Sequence, residues 1–187
     1  ENYESATMRS MNMAVQYLDF GFQSLESEAL QLYVDKNLSK YVLGLNSQSE
    51  ILSLISTTKT SLTAKQVANS FIQSMHLITT SNVKNISTSS TVDKGVFEEW
   101  LASEEGVLVS ENNGGMWIGK HNTLDKLLEL KSDNYACAYM RVYSNMAACA
   151  IIDLSKASIE EILHDLDLGE GTISGFVTAD GYEVVID

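Results

Sequence analysis

The chemistry this chain can offer converges on Asp153. It closes Ala148–Ile152, a continuous small and apolar run of the kind a sheet covers on both faces. A carboxylate there is costly unless something pairs with it. In the preceding segment, YACAYMRVY, strict alternation puts Tyr135, Cys137, Tyr139, Arg141 and Tyr143 on one strand face. Tyr135 and Tyr139 bring hydroxyls and ring surface, and Trp117 brings an aromatic wall suited to a cation. Arg141 is the one cation of that strand, placed to pair with Asp153 or to meet an incoming carboxylate. Asp153, Trp117, Tyr135, Tyr139 and Arg141 therefore form the expected site. It suits a small, polar, amine-bearing molecule, with the ammonium facing a carboxylate while the rings exclude water. On this reading Asp153→Ala abolishes binding and leaves the fold intact. Each residue also has a structural alternative: Trp117 as core, the tyrosines as sheet lining, and Asp153 as cap of the helix that follows.

Catalytic motifs are missing. Gly171-Thr172-Ile173-Ser174-Gly175 has the wrong spacing for a nucleophile elbow, and no dinucleotide fingerprint, phosphate loop or C-x-x-C occurs. His121 and Asp125 at i, i+4 suggest a metal only weakly without a third ligand; His76 and His164 have no evident partner. No nucleophile, base and orienter come together, so no catalytic residue, metal or cofactor is expected and the chain is read as non-enzymatic. A two-residue turn at Ser144-Asn145 would set Cys137 opposite Ile152, leaving Cys137 and Cys149 out of register and unbonded.

The elements that position these residues follow from periodicity. Met8, Met11, Val15, Leu18, Phe22, Leu25, Ala29 and Leu32 step by three and four, a sustained heptad stripe. One helix from about Tyr3 to Leu43 is expected, longer than a domain of this size covers alone; it reads either as an amphipathic helix lying on its own domain or as one that also pairs with a second copy across the stripe. Ile51–Ile55 opens a second helix, with Leu62, Val67, Phe71 and Ile72 a continuation or a third. The Ser/Thr/Asn-rich block Thr79–Thr91 permits two weak strands around His76–Thr80 and Asn85–Ser89 or, equally, a long solvated loop. A short helix is expected over Gly95–Ser103, strands at Gly106–Ser110 and Met116–Gly119, and a short helix over Asn122–Leu130. Ser158 with Glu161 opens a helix that carries Ile159, Ile162, Leu163 and Leu166 and stops at Gly169. Asp180-Gly181 marks a final two-residue hairpin. The order is α+β with an antiparallel sheet.

Composition narrows the partners. With 44% hydrophobic residues in 187, the chain buries a real core; a net charge of -13 disfavours nucleic acid and anionic lipid. No apolar run approaches the roughly 20 residues of a membrane span.

The long N-terminal helix, the Trp117-Ile118-Gly119 strand, YACAYMRVY, AIIDLSKASIEEIL and GFVTADGYEVVI together resemble the Cache-type extracytoplasmic sensor domains of bacterial methyl-accepting chemotaxis proteins. The strand–Asp-Leu-Ser–helix signature and the Asp-Gly hairpin are its most specific parts. The resemblance implies a long helix packed on a PAS-like antiparallel sheet with short inserted helices, and a small-molecule ligand, an amino acid or an amine. It implies a homodimer through the N-terminal helix, and a membrane reached only through segments outside this chain. By the same resemblance Asp153 meets a ligand amine, Tyr135 or Tyr139 is the later tyrosine of the family site, and Trp117 its tryptophan. Two positions depart from the family: Gly115 stands where an Arg would hold a carboxylate, and Ile118 replaces a Tyr. The expected organisation is a helix over residues 1–45, a sensing module over 46–168, and at 169–187 a hairpin opening a second module, packed on a neighbouring molecule or dependent on residues beyond it.

Overall fold

The computed structural model describes residues 2–166 and 172–186. The chain is α+β. Helix α1 spans Asn2–Val34, α2 Lys36–Val42 and α3 Gln48–Ala68. Strands β1 (Ile72–Thr79) and β2 (Ile86–Ser87) follow, then helices α4 (Phe97–Leu101) and α5 (Glu104–Ser110). Strand β3 (Met116–Ile118), helix α6 (Asn122–Leu127), strands β4 (Tyr135–Val142) and β5 (Ala148–Ser155), and helix α7 (Lys156–His164) complete the body. Strands β6 (Ser174–Val177) and β7 (Glu183–Ile186) form a separate two-stranded ribbon.

The expected single helix to Leu43 is broken at Asp35. Its carboxylate accepts the amides of Asn37 and Leu38 at 2.8 and 3.1 Å, and this cap starts α2 afresh. Helix α3 is one continuous element; Phe71 and Ile72 lead into β1 instead of extending it. The strand expected at Gly106–Ser110 is a helix. Ser103 caps it through the Gly106 amide, and Glu104 and Glu105 fill its first turn, where carboxylates are favoured. Helix α7 ends at His164, and the stop expected at Gly169 lies outside the described residues.

The main sheet is antiparallel, in the order β2-β1-β5-β4-β3. One face carries Met75, Leu77, Ala150, Ile152, Leu154, Cys137 and Tyr139 against α1, α2, α3 and α7. The other carries Ile78, Cys149, Ile151, Ala138 and Met140 against Phe97, Trp100, Val109, Leu124 and Leu128 of α4, α5 and the α6 region. The second half of α1 docks most closely: Leu25, Ala29 and Leu32 are buried, while in the first half Ala14 packs on the core and Tyr17 on Phe71 but Met8, Met11 and Val15 are 60%, 45% and 55% exposed. Gly21 marks the point of closest approach, since a Cβ there would stand 2.6 Å from the Phe71 ring.

The β4–β5 turn is longer than two residues. The Tyr143 amide reaches the Ala148 carbonyl at 2.9 Å, enclosing four residues with Met146 at φ 53°. Cys137 therefore faces Leu154, not Ile152. Both thiols are free and buried, each in a different core layer. In the last hairpin, Thr178 and Tyr182 close around Ala179–Gly181, again longer than the expected Asp-Gly turn, with Gly181 at φ 87°. This ribbon packs on its own chain: Val184 is buried, Phe176 stacks on Phe22 with centroids 6.1 Å apart, and the Gly119 amide donates to Asp180 at 2.7 Å.

Candidate functional site

The register of the sheet decides which expected site residues meet. Ser74, Asp153 and Ala138 are cross-strand partners in β1, β5 and β4, and all face the α4–α6 layer. Trp117, Tyr139 and Ile152 form a row on the opposite face. The five residues expected to form one site are thus divided by the sheet.

On the α1 face, Trp117 meets Phe22 edge-on at 4.8 Å, lies 5.3 Å from the Tyr139 ring and donates Nε1–H to Glu26 at 2.8 Å. Tyr139 and Arg141 both donate to the Gly114 carbonyl, at 2.8 and 2.7 Å, and the Arg141 guanidinium lies over Tyr33 at 4.5 Å. Gly115, at φ 84°, lets this turn close, because a Cβ there would come 2.5 Å from the Tyr139 hydroxyl. Trp117, Tyr139 and Arg141 hold β3, β4 and α1 together, and Arg141 does not meet Asp153.

Asp153 and Tyr135 come together on the other face. A register shift between Tyr135 and Cys137 breaks the alternation of β4 and turns Tyr135 away from Tyr139. A second shift, between Ile72 and Ser74 of β1, lies beside the same end of β5. Asp153, 1% exposed, is enclosed by three donors. Ser74 Oγ and His76 Nε2 reach Oδ2 at 2.5 and 3.0 Å, and His121 Nε2 reaches Oδ1 at 2.6 Å. Ser87 Oγ accepts the amides of Ser89 and Ser90, so its own proton goes to His76 Nδ1 at 2.8 Å. His76 donates from Nε2 to the Asp153 carboxylate.

His121 is the cation of the group. Its Nδ1 stands 3.1 Å from Asp125 Oδ1, an ion pair too poorly aligned for a hydrogen bond. Its ring stacks on Tyr135 at 4.5 Å, and the Tyr135 hydroxyl donates to Asp125 Oδ2 at 2.7 Å while accepting the His121 amide at 3.1 Å. Burial alone would lower the His121 pKa, but the charge of Asp153 and the two carboxylate contacts push it up to about 10. Burial alone would raise that of Asp153, but His121 and His76 hold it far below the usual carboxylate range. Burial, then Asp125, drive Tyr135 well above the ordinary tyrosine value.

A cleft of about 220 Å³ opens on this group, lined by Ser74, Asp125, Glu129, Lys131, Tyr135 and Asp153 among others. It is smaller than the roughly 300–1,000 Å³ of drug-sized pockets. Grooves of about 830 Å³ between α2 and α3 and about 640 Å³ between α1 and α7 are larger. Neither brings buried charges together, so size does not mark the site here. The metal suggested by His121 and Asp125 finds no support, since both ring nitrogens face carboxylates and no cluster of metal-ligand geometry occurs among the described residues.

Spacing alone exposed only the Asp125–His121 pair. His76 and His121 lie 77 and 32 residues from Asp153, a separation closed only by sheet register. In comparisons with known proteins, no family model matches the chain and no curated protein matches it.

Proposed function

We propose that the chain is the extracytoplasmic small-molecule sensing domain of a transmembrane chemoreceptor, non-enzymatic, binding a small amine in the cleft beside Asp125 and Asp153. The observation that carries this is the convergence there of two buried carboxylates, the Tyr135 hydroxyl and the Ser74 hydroxyl on one small opening. Three carboxylates and one lysine line it, with the His121 imidazolium behind Asp125 and Asp153, so carboxylates exceed cations by one. The resemblance set out above and the α+β arrangement, with a long helix on one sheet face and short helices on the other, support the same reading. The route for a signal is short. Asp153 joins β1, β5 and the β3–α6 connection, and α1 packs on the opposite face of β4 and β5. No helix among the described residues is long and apolar enough to cross a membrane. A histidine kinase or cyclase receptor carrying the same outer domain is the nearest variant.

A thermal-shift screen of amino acids, amines and small carboxylates, followed by calorimetry on the hits, tests this. An amine at a hundredfold its dissociation constant should stabilise the fold by about 2.7 kcal/mol. Preference for carboxylates lacking an amine would overturn the site.

A second reading has its own support. The Asp153 acceptor positions are already filled, as in a purely structural cluster, and the first half of α1 exposes Met8, Met11 and Val15. A ligand-free, helix-mediated dimerisation module would give no hits but would self-associate.

A further inference from the structure

The three donors on Asp153 are not held alike. Ser74 and His76 belong to β1, which is paired with β5 along its length. His121 belongs to neither strand nor helix; it sits in the short connection from β3 to α6, at φ -105° and ψ 66°. Its Nε2 is bonded to Asp153, whereas its Nδ1 and the facing Asp125 Oδ1 are buried and have no hydrogen-bond partner. His121 thus bridges two carboxylates and is firmly bonded to one. The small cleft reaches both of those carboxylates. An ammonium entering it meets the groups that His121 already neutralises, and the site gains no net charge if one cation replaces another.

We propose that His121 is a resident cation that an incoming ammonium displaces from Asp153, so that binding releases a proton to solvent. This rests on the reading of the cleft as an amine site. The step balances. The ammonium enters with its charge, the imidazolium leaves the carboxylate pair, and its N–H proton passes to buffer as a neutral imidazole remains. Asp153 of β5, Asp125 of α6 and Tyr135 of β4 face His121 directly, with His76 of β1 across Asp153 and Lys120 over the Tyr135 ring at 4.0 Å. His76 is tied at both ring nitrogens, to Ser87 Oγ and to Asp153, and sits on the paired strand β1. Held by the carboxylates, His121 keeps its proton to about pH 10. Freed to water it returns to about 6.5. The complex then binds fewer protons than the free protein, so rising pH favours binding.

The test is calorimetry of the wild-type chain with methylammonium, ethanolamine, glycine and alanine, in two buffers of different ionisation enthalpy, at pH values between about 6.5 and 8.5, where these amines stay charged. The expected result is release approaching one proton per ligand and an affinity that rises close to tenfold per pH unit above about pH 7. Binding without proton release, at constant affinity, would overturn the displacement while leaving the amine site standing. No binding by any of the four at any of these pH values would overturn both. His121→Gln should bind the same amine with no proton release and a flat pH profile; a folded variant that keeps the slope would also overturn the proposal. Should that variant not fold, the wild-type proton count decides.

Discussion

With three donors closed around it, the Asp153 carboxylate cannot be removed without stranding its partners. Asp153→Ala should therefore destabilise the fold by about 3–5 kcal/mol, as expected when one member of a buried ion pair is lost, and urea denaturation will measure it. The expectation from sequence that the fold would survive this substitution intact took the carboxylate as free for a ligand. The same pair sets a pH profile. His121 is protonated to about pH 10 when folded and to about 6.5 when unfolded, so its contribution is complete below about 6.5 and is lost as pH rises towards 10. Over that window the folded state binds the extra proton, and stability should fall by up to about 1.4 kcal/mol per pH unit. The Asp153 contribution is present above its unfolded value, near 3.9, and is lost at lower pH. These are two views of one interaction and do not add. Denaturation midpoints should be flat between about pH 4 and 6.5 and decline on the alkaline side; a flat alkaline limb would mean that His121 is neutral. Asp153 was legible because an apolar run ending in a carboxylate is a local pattern. Its partners were not, because they are brought to it by strands paired far apart in sequence.

Among the elements, α4, α5 and α6 form a chain of supports for His121. Glu105 of α5 accepts the Trp100 indole at 2.7 Å and the amides of Thr123 and Leu124 at the start of α6. Gly106 lets α5 lie against α4; a Cβ there would stand 2.2 Å from the Trp100 carbonyl. Gly106→Ala should cost about 1–3 kcal/mol through overpacking, although the same change in an open helix would stabilise by up to about 1 kcal/mol. Thermal denaturation gives the sign directly. This corner was invisible to hydrophobic pattern, since GVLVS reads equally as a strand until the Ser103 cap and two glutamates are weighed. The α1 stripe was readable from its heptad spacing, β4 from alternation, β5 from its continuous apolar run and the last hairpin from Asp180-Gly181, whereas β1 was only half-read, Ile72 as helix and the stretch from His76 as a weak strand or a loop. The bulges were not, and one of them moved Tyr135 to the other side of the sheet and divided the expected site.

At the scale of the molecule, α1 is two things in one helix. Beyond Gly21 it supplies Leu25, Ala29 and Leu32 to the core; before it, Ala14, Tyr17 and Leu18 touch the body on one side while Met8, Met11, Val15 and Phe20, the last at 66%, are exposed. Self-association through this half should appear in sedimentation velocity as protein concentration rises towards millimolar, and Met11→Glu with Val15→Glu should abolish it without changing the denaturation midpoint. A monomer throughout that range would exclude pairing by this helix alone. The sheet also separates Cys137 from Cys149, one in the layer beneath α1 and the other beneath α4–α6. Burial raises both thiols far above the ordinary cysteine value, that of Cys137 to about 12, so neither reacts while its layer is closed. Titration under denaturing, non-reducing conditions should count two free thiols. Under native conditions the pair becomes a two-channel gauge of breathing. Pulsed alkylation resolved by peptide mass would record how often each side of the sheet is uncovered, and a chain whose two sides part company before global unfolding would label Cys137 and Cys149 at different rates.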